Sequence, residues 1–250
     1  MPSEPESAAT RCWVEISQGA LRGNLQYLRK RVGKSRLLAV VKADAYGHGL
    51  AETAALFVRE GVDFFCVASL EEGIALRAGG VGEAGVLVFS GFRVKDYPLY
   101  RDNRLIPTLG EFSQFAQLNT WAEKNGQQVV CHLKVDSGMG RFGITAAQVA
   151  AAPERIFQLP AIQVLGIYSH LSSSGDSAAT ADHEFTMEQI RIFRGLADFL
   201  ELNNIWSGMR HLLNSGGILG YPQASLDGVR PGLALYGCYP GPLPRNRALV

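Results

Sequence analysis

The stretch Leu37-Leu-Ala-Val-Val-Lys-Ala-Asp-Ala-Tyr-Gly-His-Gly49 decides how the rest of the chain is read. An apolar run over residues 37–43, interrupted at Lys42, gives way to Asp44, Tyr46, His48 and two glycines. A short apolar run bounded by turn residues reads as a buried strand. Seven similar runs follow, at 64–68, 86–89, 105–108, 129–135, 164–169, 211–214 and 229–236.

Helix-like stretches separate these runs. Ser69-Leu-Glu-Glu72 has the capping-box pattern of a Ser with Glu three residues on. Residues 108–124 place Phe112, Phe115, Leu118, Trp121 and Ala122 on one stripe, and 182–203 repeat the pattern with Phe185, Ile190, Phe193, Leu196 and Leu200. Such stripes are packing faces. Strands alternating with helices imply parallel pairing through crossover connections. Eight repeats in 250 residues favour a closed (β/α)8 TIM barrel, a fold of about this length, with its active site at the C-terminal strand ends. The expected organisation is a disordered N-terminus at 1–10, the barrel over 11–239, and at 240–250 the start of a linker. An extra short strand is expected at 13–16 and a helix at 20–31.

Composition narrows the function. Lys and Arg number 24 against 23 Asp and Glu, a net charge of +1, which lacks the basic field of a nucleic-acid binder. Cys12, Cys66, Cys131 and Cys238 form no C-x-x-C pair, so reduced thiols are expected rather than a disulfide framework or a metal site. No apolar run approaches the ~18 residues of a membrane span and no secretory signal is evident, so the expected location is the cytoplasm, with no membrane partner.

The strand ends carry the candidate chemistry. Lys42 closes the first run, where desolvation favours the neutral, Schiff-base-forming state of an amine; alone it also reads as a solvated cap. Tyr46 can return a hydroxyl over the site. In His132-Leu-Lys-Val-Asp-Ser-Gly-Met-Gly-Arg-Phe-Gly143, glycines frame Arg141, whose fork suits a carboxylate but would equally serve a surface ion pair. Lys134 points into the barrel by alternation, where a bare ammonium is costly. His170 is a candidate to stack on a ring, or a satisfied core histidine. Asn214-Ser-Gly-Gly217 opens a helix with small residues and a hydroxyl at Ser215, an anion-binding arrangement. Arg230 and Gly232 lie in Gly228-Val-Arg-Pro-Gly232, where such barrels bind phosphate. An amine, an anion seat and arginines together fit a phosphorylated aldehyde cofactor, pyridoxal 5′-phosphate.

The chain resembles the alanine racemase family of fold-type III pyridoxal-phosphate enzymes from about Arg11 onward. The resemblance rests on Ala39 to Gly49, Leu133 to Arg141, Ser169-His-Leu171, Asn214-Ser215 and Asp227-Gly-Val-Arg-Pro-Gly232. It implies interconversion of L- and D-alanine, supplying D-alanine for peptidoglycan, by a homodimer. Lys42 would be the Schiff-base lysine and the base for the D-enantiomer. Tyr46, Ser215, Gly232 and Leu233 would surround the phosphate, His170 would lie against the ring, and Arg230 would face its nitrogen. Arg141 would meet the substrate carboxylate, and Lys134 stands where the family often carries a carbamylated lysine. The second base would be a tyrosine of a C-terminal β-domain, and neither Tyr236 nor Tyr239 matches it, so this chain is expected to racemise poorly by itself. Apolar surface at 13–16 and at the barrel mouth would be left uncovered. Alternatives are a non-catalytic pyridoxal-phosphate carrier, a racemase of serine or another small amino acid, and a cofactor-free barrel using Lys42 as an aldolase-type lysine.

Overall fold

The first apolar run folds into two short strands, β1 (Arg36–Leu37) and β2 (Ala39–Val40), that pair on opposite sides: β1 with the last strand and β2 with the next. Only Leu38 separates them, and its amide donates to Val229 O at 2.8 Å. They are halves of one barrel stave. The computed structural model describes residues 13–175, 181–241 and 249–250. Its remaining strands are β3 (Phe64–Val67), β4 (Gly85–Val88), β5 (Ile106–Leu109), β6 (Val129–Asp136), β7 (Ile144–Thr145), β8 (Ile162–Tyr168), β9 (Met209–His211) and β10 (Gly228–Val229). The order β1-β10-β9-β8-β6-β5-β4-β3-β2 is parallel throughout, with β7 appended to β6. Chain continuity through Leu38 joins its two ends, giving the expected (β/α)8 barrel.

Alternation along the strands sorts the core into two layers. Leu37, Ala39 and Val41 face outward into the large cluster shared with the helices. Leu38 and Val40 face inward, joining Phe64, Cys66, Leu87 and Tyr168 in a separate cluster inside the barrel. The striped helices cover the outer layer: Phe115, Leu118 and Ala122 of the helix Phe112–Lys124 are buried, as are Ile190, Phe193, Leu196 and Leu200 of Ala181–Leu202. Phe185, at the start of that stripe, is instead 40% exposed.

Two other expectations are corrected. Residues 13–16 form no strand, and Trp13 and Val14 are exposed, because a ring of paired strands offers no free edge. A helix does follow, at Gln18–Val32, capped by Ser17 Oγ accepting from Ala20 N at 3.2 Å. The last run is a strand only over Gly228–Val229 and ends in a 3-10 turn at Leu233–Tyr236. Pro231 has no N–H to extend the ladder. Residues 1–10 and most of the proposed linker, 242–248, lie outside the described residues, as does Cys12. Leu249 and Val250 return to the barrel, where Asn24 Oδ1 accepts from Val250 N at 2.7 Å and Asn24 Nδ2 donates to Val250 O at 2.8 Å. Cys66, Cys131 and Cys238 are free thiols. Among the described residues no helix is long and apolar enough to cross a membrane.

Candidate active site at the strand ends

Directly after β2 the chain makes one turn of left-handed helix. Ala43, Asp44, Ala45 and Tyr46 all have φ between 51° and 56°, although none is glycine. Left-handed helical backbone costs roughly 1–2 kcal/mol per L-residue, so the turn needs external support. Glu72 supplies it: Oε1 accepts from Ala43 N at 2.7 Å and Oε2 from Ala68 N at 2.6 Å. The capping box expected at Ser69 is therefore only half formed. Ser69 Oγ accepts from Glu72 N at 3.3 Å, but the Glu72 carboxylate is diverted to the turn. Asp44 Oδ1 closes the other side, accepting from Leu50 N at 2.7 Å. Lys42 is thus held at the head of this turn, its Nζ 5.8 Å from the centre of the Tyr46 ring.

Lys42 lines a cavity of about 640 Å³ together with Lys134, Arg141 and Arg230, and no Asp or Glu is among the described residues that line it. The acid nearest Lys134 in sequence, Asp136, is occupied by the glycine loop, accepting from Gly138 N and Gly140 N at 3.0 Å each. Lys134 is 5% exposed and donates only to its neighbour's carbonyl, Val135 O, at 2.8 Å. Burial, reinforced by the positive charge of Arg230, brings its pKa down to about 7. Arg141 makes no ion pair among the described residues, which removes the surface-pair reading. Its loop approaches β6 closely, since a Cβ at Gly143 would lie 2.8 Å from Lys134 O.

His170 also lines the cavity, and burial with the surrounding cations brings its pKa to about 3, so it is neutral. Asn214 Nδ2 lies 3.3 Å from its Nε2 and donates to Leu171 O at 2.8 Å, while Asn214 Oδ1 accepts from Gly217 N and Ser174 Oγ. Ser215 Oγ accepts from Gly232 N at 2.9 Å and Ala234 N at 3.1 Å, which leaves its hydroxyl proton to donate elsewhere. Gly232 is required here: a Cβ would lie 2.5 Å from the Tyr46 hydroxyl. Leu233 is 40% exposed beside them. All nine candidate residues, Lys42, Tyr46, Lys134, Arg141, His170, Ser215, Arg230, Gly232 and Leu233, therefore line one cavity. Tyr236 is engaged elsewhere, donating to Val40 O at 3.0 Å.

Sequence reasoning missed the layer beneath. Arg230 is 2% exposed and donates to His211 O at 2.7 Å, Leu212 O at 2.9 Å and Ser169 O, with Nη1 2.9 Å from His211 Nδ1. Desolvation lowers its pKa to about 10, which leaves it charged at neutral pH. Tyr168 underlies it, with the guanidinium 4.9 Å from the ring centre, His211 stacked on the ring at 4.9 Å, and Thr108 Oγ1 at 3.0 Å from the phenol oxygen. His132 and His211 sit on β6 and β9, distant in sequence, and only the register of the closed sheet brings them together.

Comparison with known proteins agrees with this geometry. Residues 16–240 match the family described as alanine racemase, N-terminal domain. The chain is 33% identical over 233 residues to an alanine racemase of Methanococcus maripaludis, and 34% identical over 230 residues to one of Desulforamulus reducens. These alignments cover 92% and 91% of this chain but 61% of each relative, so the chain spans about three fifths of their length. Among solved structures, an alanine racemase of Clostridium difficile 630 in complex with cycloserine superposes with a TM-score of 0.88 at 29% identity, over 97% of this chain and 66% of that one. One from Bartonella henselae with covalently bound pyridoxal phosphate gives 0.80 at 27% identity, over 94% and 62%.

Proposed function

Because the chain belongs to the family of alanine racemase N-terminal domains, we propose that its cavity holds pyridoxal 5′-phosphate on Lys42 and takes alanine as substrate. One observation carries this reading: four cationic side chains, Lys42, Lys134, Arg141 and Arg230, converge on one cavity with no carboxylate among the described residues that line it. Such a site wants a polyanion, which a phosphorylated cofactor and an amino-acid carboxylate together supply. The hydroxyls of Tyr46 and Ser215, both packed against the Gly232 backbone, offer donors to the phosphate, and the neutral His170 offers a face to a ring.

When bound, the cofactor supplies an electron sink that weakens the Cα–H bond of an amino acid attached to it. The protein's part is positional. Lys42 Nζ removes the α-proton of the D-enantiomer, Arg141 holds the substrate carboxylate, and Arg230 presents a cation to the ring nitrogen. Lys134, neutral in part near pH 7, has the lone pair needed to add carbon dioxide, and the resulting carbamate would pair with Arg141. Reprotonation on the opposite face requires a second base. Tyr168 lines the cavity but is buried against Thr108 and Arg230, and burial pushes its phenol far above the usual range. We assign the second base to a tyrosine of the family's C-terminal β-domain, carried by a dimer partner. The exposed Trp13 and Val14 are consistent with such a contact. The product, D-alanine, would serve cytoplasmic synthesis of peptidoglycan.

The test is borohydride reduction of the chain after mixing with pyridoxal 5′-phosphate, followed by peptide mapping. The expected adduct is on Lys42, with none in Lys42→Ala. An adduct on another lysine, or none, overturns the assignment. With D-alanine in deuterated water, the loaded chain is expected to exchange the α-hydrogen faster than it forms L-alanine; equal rates would place the second base within these 250 residues.

A further inference from the structure

Arg230 is a buried cation with no anion among its described partners. Its partners among the described residues are three backbone carbonyls, one imidazole nitrogen and the Tyr168 ring. The imidazole contact determines where protons lie. A guanidinium has only N–H groups to offer, so His211 Nδ1 must be the acceptor at 2.9 Å. A neutral His211 then carries its proton on Nε2, which lies 2.9 Å from His132 Nδ1. His132 Nδ1 accepts, so the His132 proton is on Nε2. Every donor in this chain points away from the cavity, from Arg230 through His211 to His132. Burial favours the neutral form of both histidines.

The arrangement is enforced from outside. His132 is 1% exposed, and a Cβ at Gly166 on the adjacent strand would lie 2.7 Å from its Cε1 and 2.9 Å from its Nδ1. The imidazole fills the space that Gly166 leaves open. Neither His132 nor His211 is among the residues lining the cavity, whereas Arg230 is.

We propose that His132 is a positioning residue: by accepting from His211 Nε2–H it fixes the His211 tautomer whose Nδ1 receives Arg230, and so aims the Arg230 guanidinium at the cavity. The ligand side of this inference rests on the pyridoxal-phosphate reading above; the tautomer does not. Without the His132 acceptor, His211 can carry its proton on Nδ1, where it meets an Arg230 N–H head on, and the guanidinium must turn.

The experiment compares wild type, H132L and H132N, each labelled with nitrogen-15 histidine. Ring-nitrogen shifts report the tautomer in the ligand-free protein, and fluorescence titration gives affinities for pyridoxal 5′-phosphate and for inorganic phosphate. Wild type should show His211 as a single Nε2–H tautomer. In H132L it should become a mixture, with roughly tenfold weaker pyridoxal-phosphate binding, the loss expected for one misplaced charge-assisted hydrogen bond, and phosphate affinity nearly unchanged. H132N, whose amide oxygen lies near the Nδ1 position, should restore the single tautomer and most of the affinity. Should H132L not fold, H132S, polar but too short to reach His211, takes its place. His211 found as Nδ1–H or as a cation in wild type at pH 7 overturns the proposal. So does H132L, or H132S in its place, with unchanged tautomer and affinity. If wild type binds no pyridoxal phosphate, the cofactor reading fails while the tautomer comparison still decides the role of His132.

Discussion

Acidification is expected to unfold this barrel from the inside, well before its carboxylates titrate. His132 and His211, 1% and 0% exposed, are in direct contact; Arg230 faces both and Arg36 faces His132, with no carboxylate of the described residues acting on either. Burial first, then the Arg230 and Arg36 charges, bring His132 down to about 3 from 6.5, and His211 falls well below 6.5 through burial first, then Arg230 and His132. An unfolded histidine takes up its proton near pH 6.5, while the native pair stays neutral. Below 6.5 the unfolded state therefore binds more protons, and stability falls as pH falls. Each histidine contributes about 1.4 kcal/mol per pH unit within that window, so two remove about 5 kcal/mol between pH 7 and 4.5. That equals the lower end of the stability of an ordinary domain. His170 acts in the same sense, but it borders the cavity and is left out of the sum. Asp227, held down by Arg210, adds its loss only at lower pH. Urea unfolding followed by far-ultraviolet circular dichroism at half-unit steps from pH 8 to 4.5 gives the slope. In H132N the loss between pH 7 and 4.5 should shrink to about half. A wild-type stability that is flat to pH 4.5, or an H132N slope equal to that of wild type, would refute the reasoning.

Three other perturbations test separate parts of the site. In carbon-dioxide-free buffer, stability should rise by about 1.4 kcal/mol per pH unit from pH 7 to 9, because the unfolded state keeps the Lys134 proton that the native state releases near 7; if K134M shows the same slope in urea titrations, Lys134 is not the cause. Gly166→Ala pushes a methyl into the His132 ring and should destabilise by about 2–5 kcal/mol through overpacking and the stranded His211 donor; a change below about 0.5 kcal/mol by denaturant unfolding would mean the ring has room to move. Glu72→Gln keeps the backbone cap at Ser69 but sets an amide NH2 against the Ala43 or Ala68 N–H. Hydrogen exchange at those two amides should accelerate roughly tenfold or more, the loss of one charge-assisted bond, and unchanged protection would remove Glu72 from the support of Lys42.

What the sequence revealed and what it hid follow a physical division. The strands were readable because barrel strands buried on both faces are short continuous apolar runs, as at Phe64–Val67. The upper rim of the cavity was readable because Lys42, Arg141, His170 and Ser215 each end or follow such a run, while Arg230 interrupts the last one. Interactions that depend on the register of distant strands were not. His132 reads as one more residue of a strand until the sheet closes and sets β6 across from β9. The left-handed turn was hidden for another reason: none of Ala43, Asp44, Ala45 or Tyr46 is glycine, and the support comes from Glu72, which local pattern assigns to its own helix start. The last strand was read too long because its apolar residues continue past Pro231, where the backbone can no longer donate to a neighbour.

The absence of a carboxylate beneath Arg230 bears on what the cavity can select. An aspartate in place of His211 would hold the guanidinium more tightly, but it would also cancel its charge. At the effective dielectric constant of about 20 suited to protein interiors, opposite unit charges 4 Å apart attract by about 4 kcal/mol, so the pair would present little field to a ligand above it. Neutral His211 and His132, three carbonyl oxygens and the face of Tyr168 orient Arg230 through dipoles and leave its unit charge uncancelled. The same holds above, where Asp136 is spent on Gly138 and Gly140 rather than on Lys134. Lys134 is then a weak cation, its proton loosened by burial first and then by Arg230 and Arg141. The described residues of the site thus leave it short of negative charge. An anion that enters is bound by field as well as by fit, and whatever anion fills it stabilises the fold by mass action.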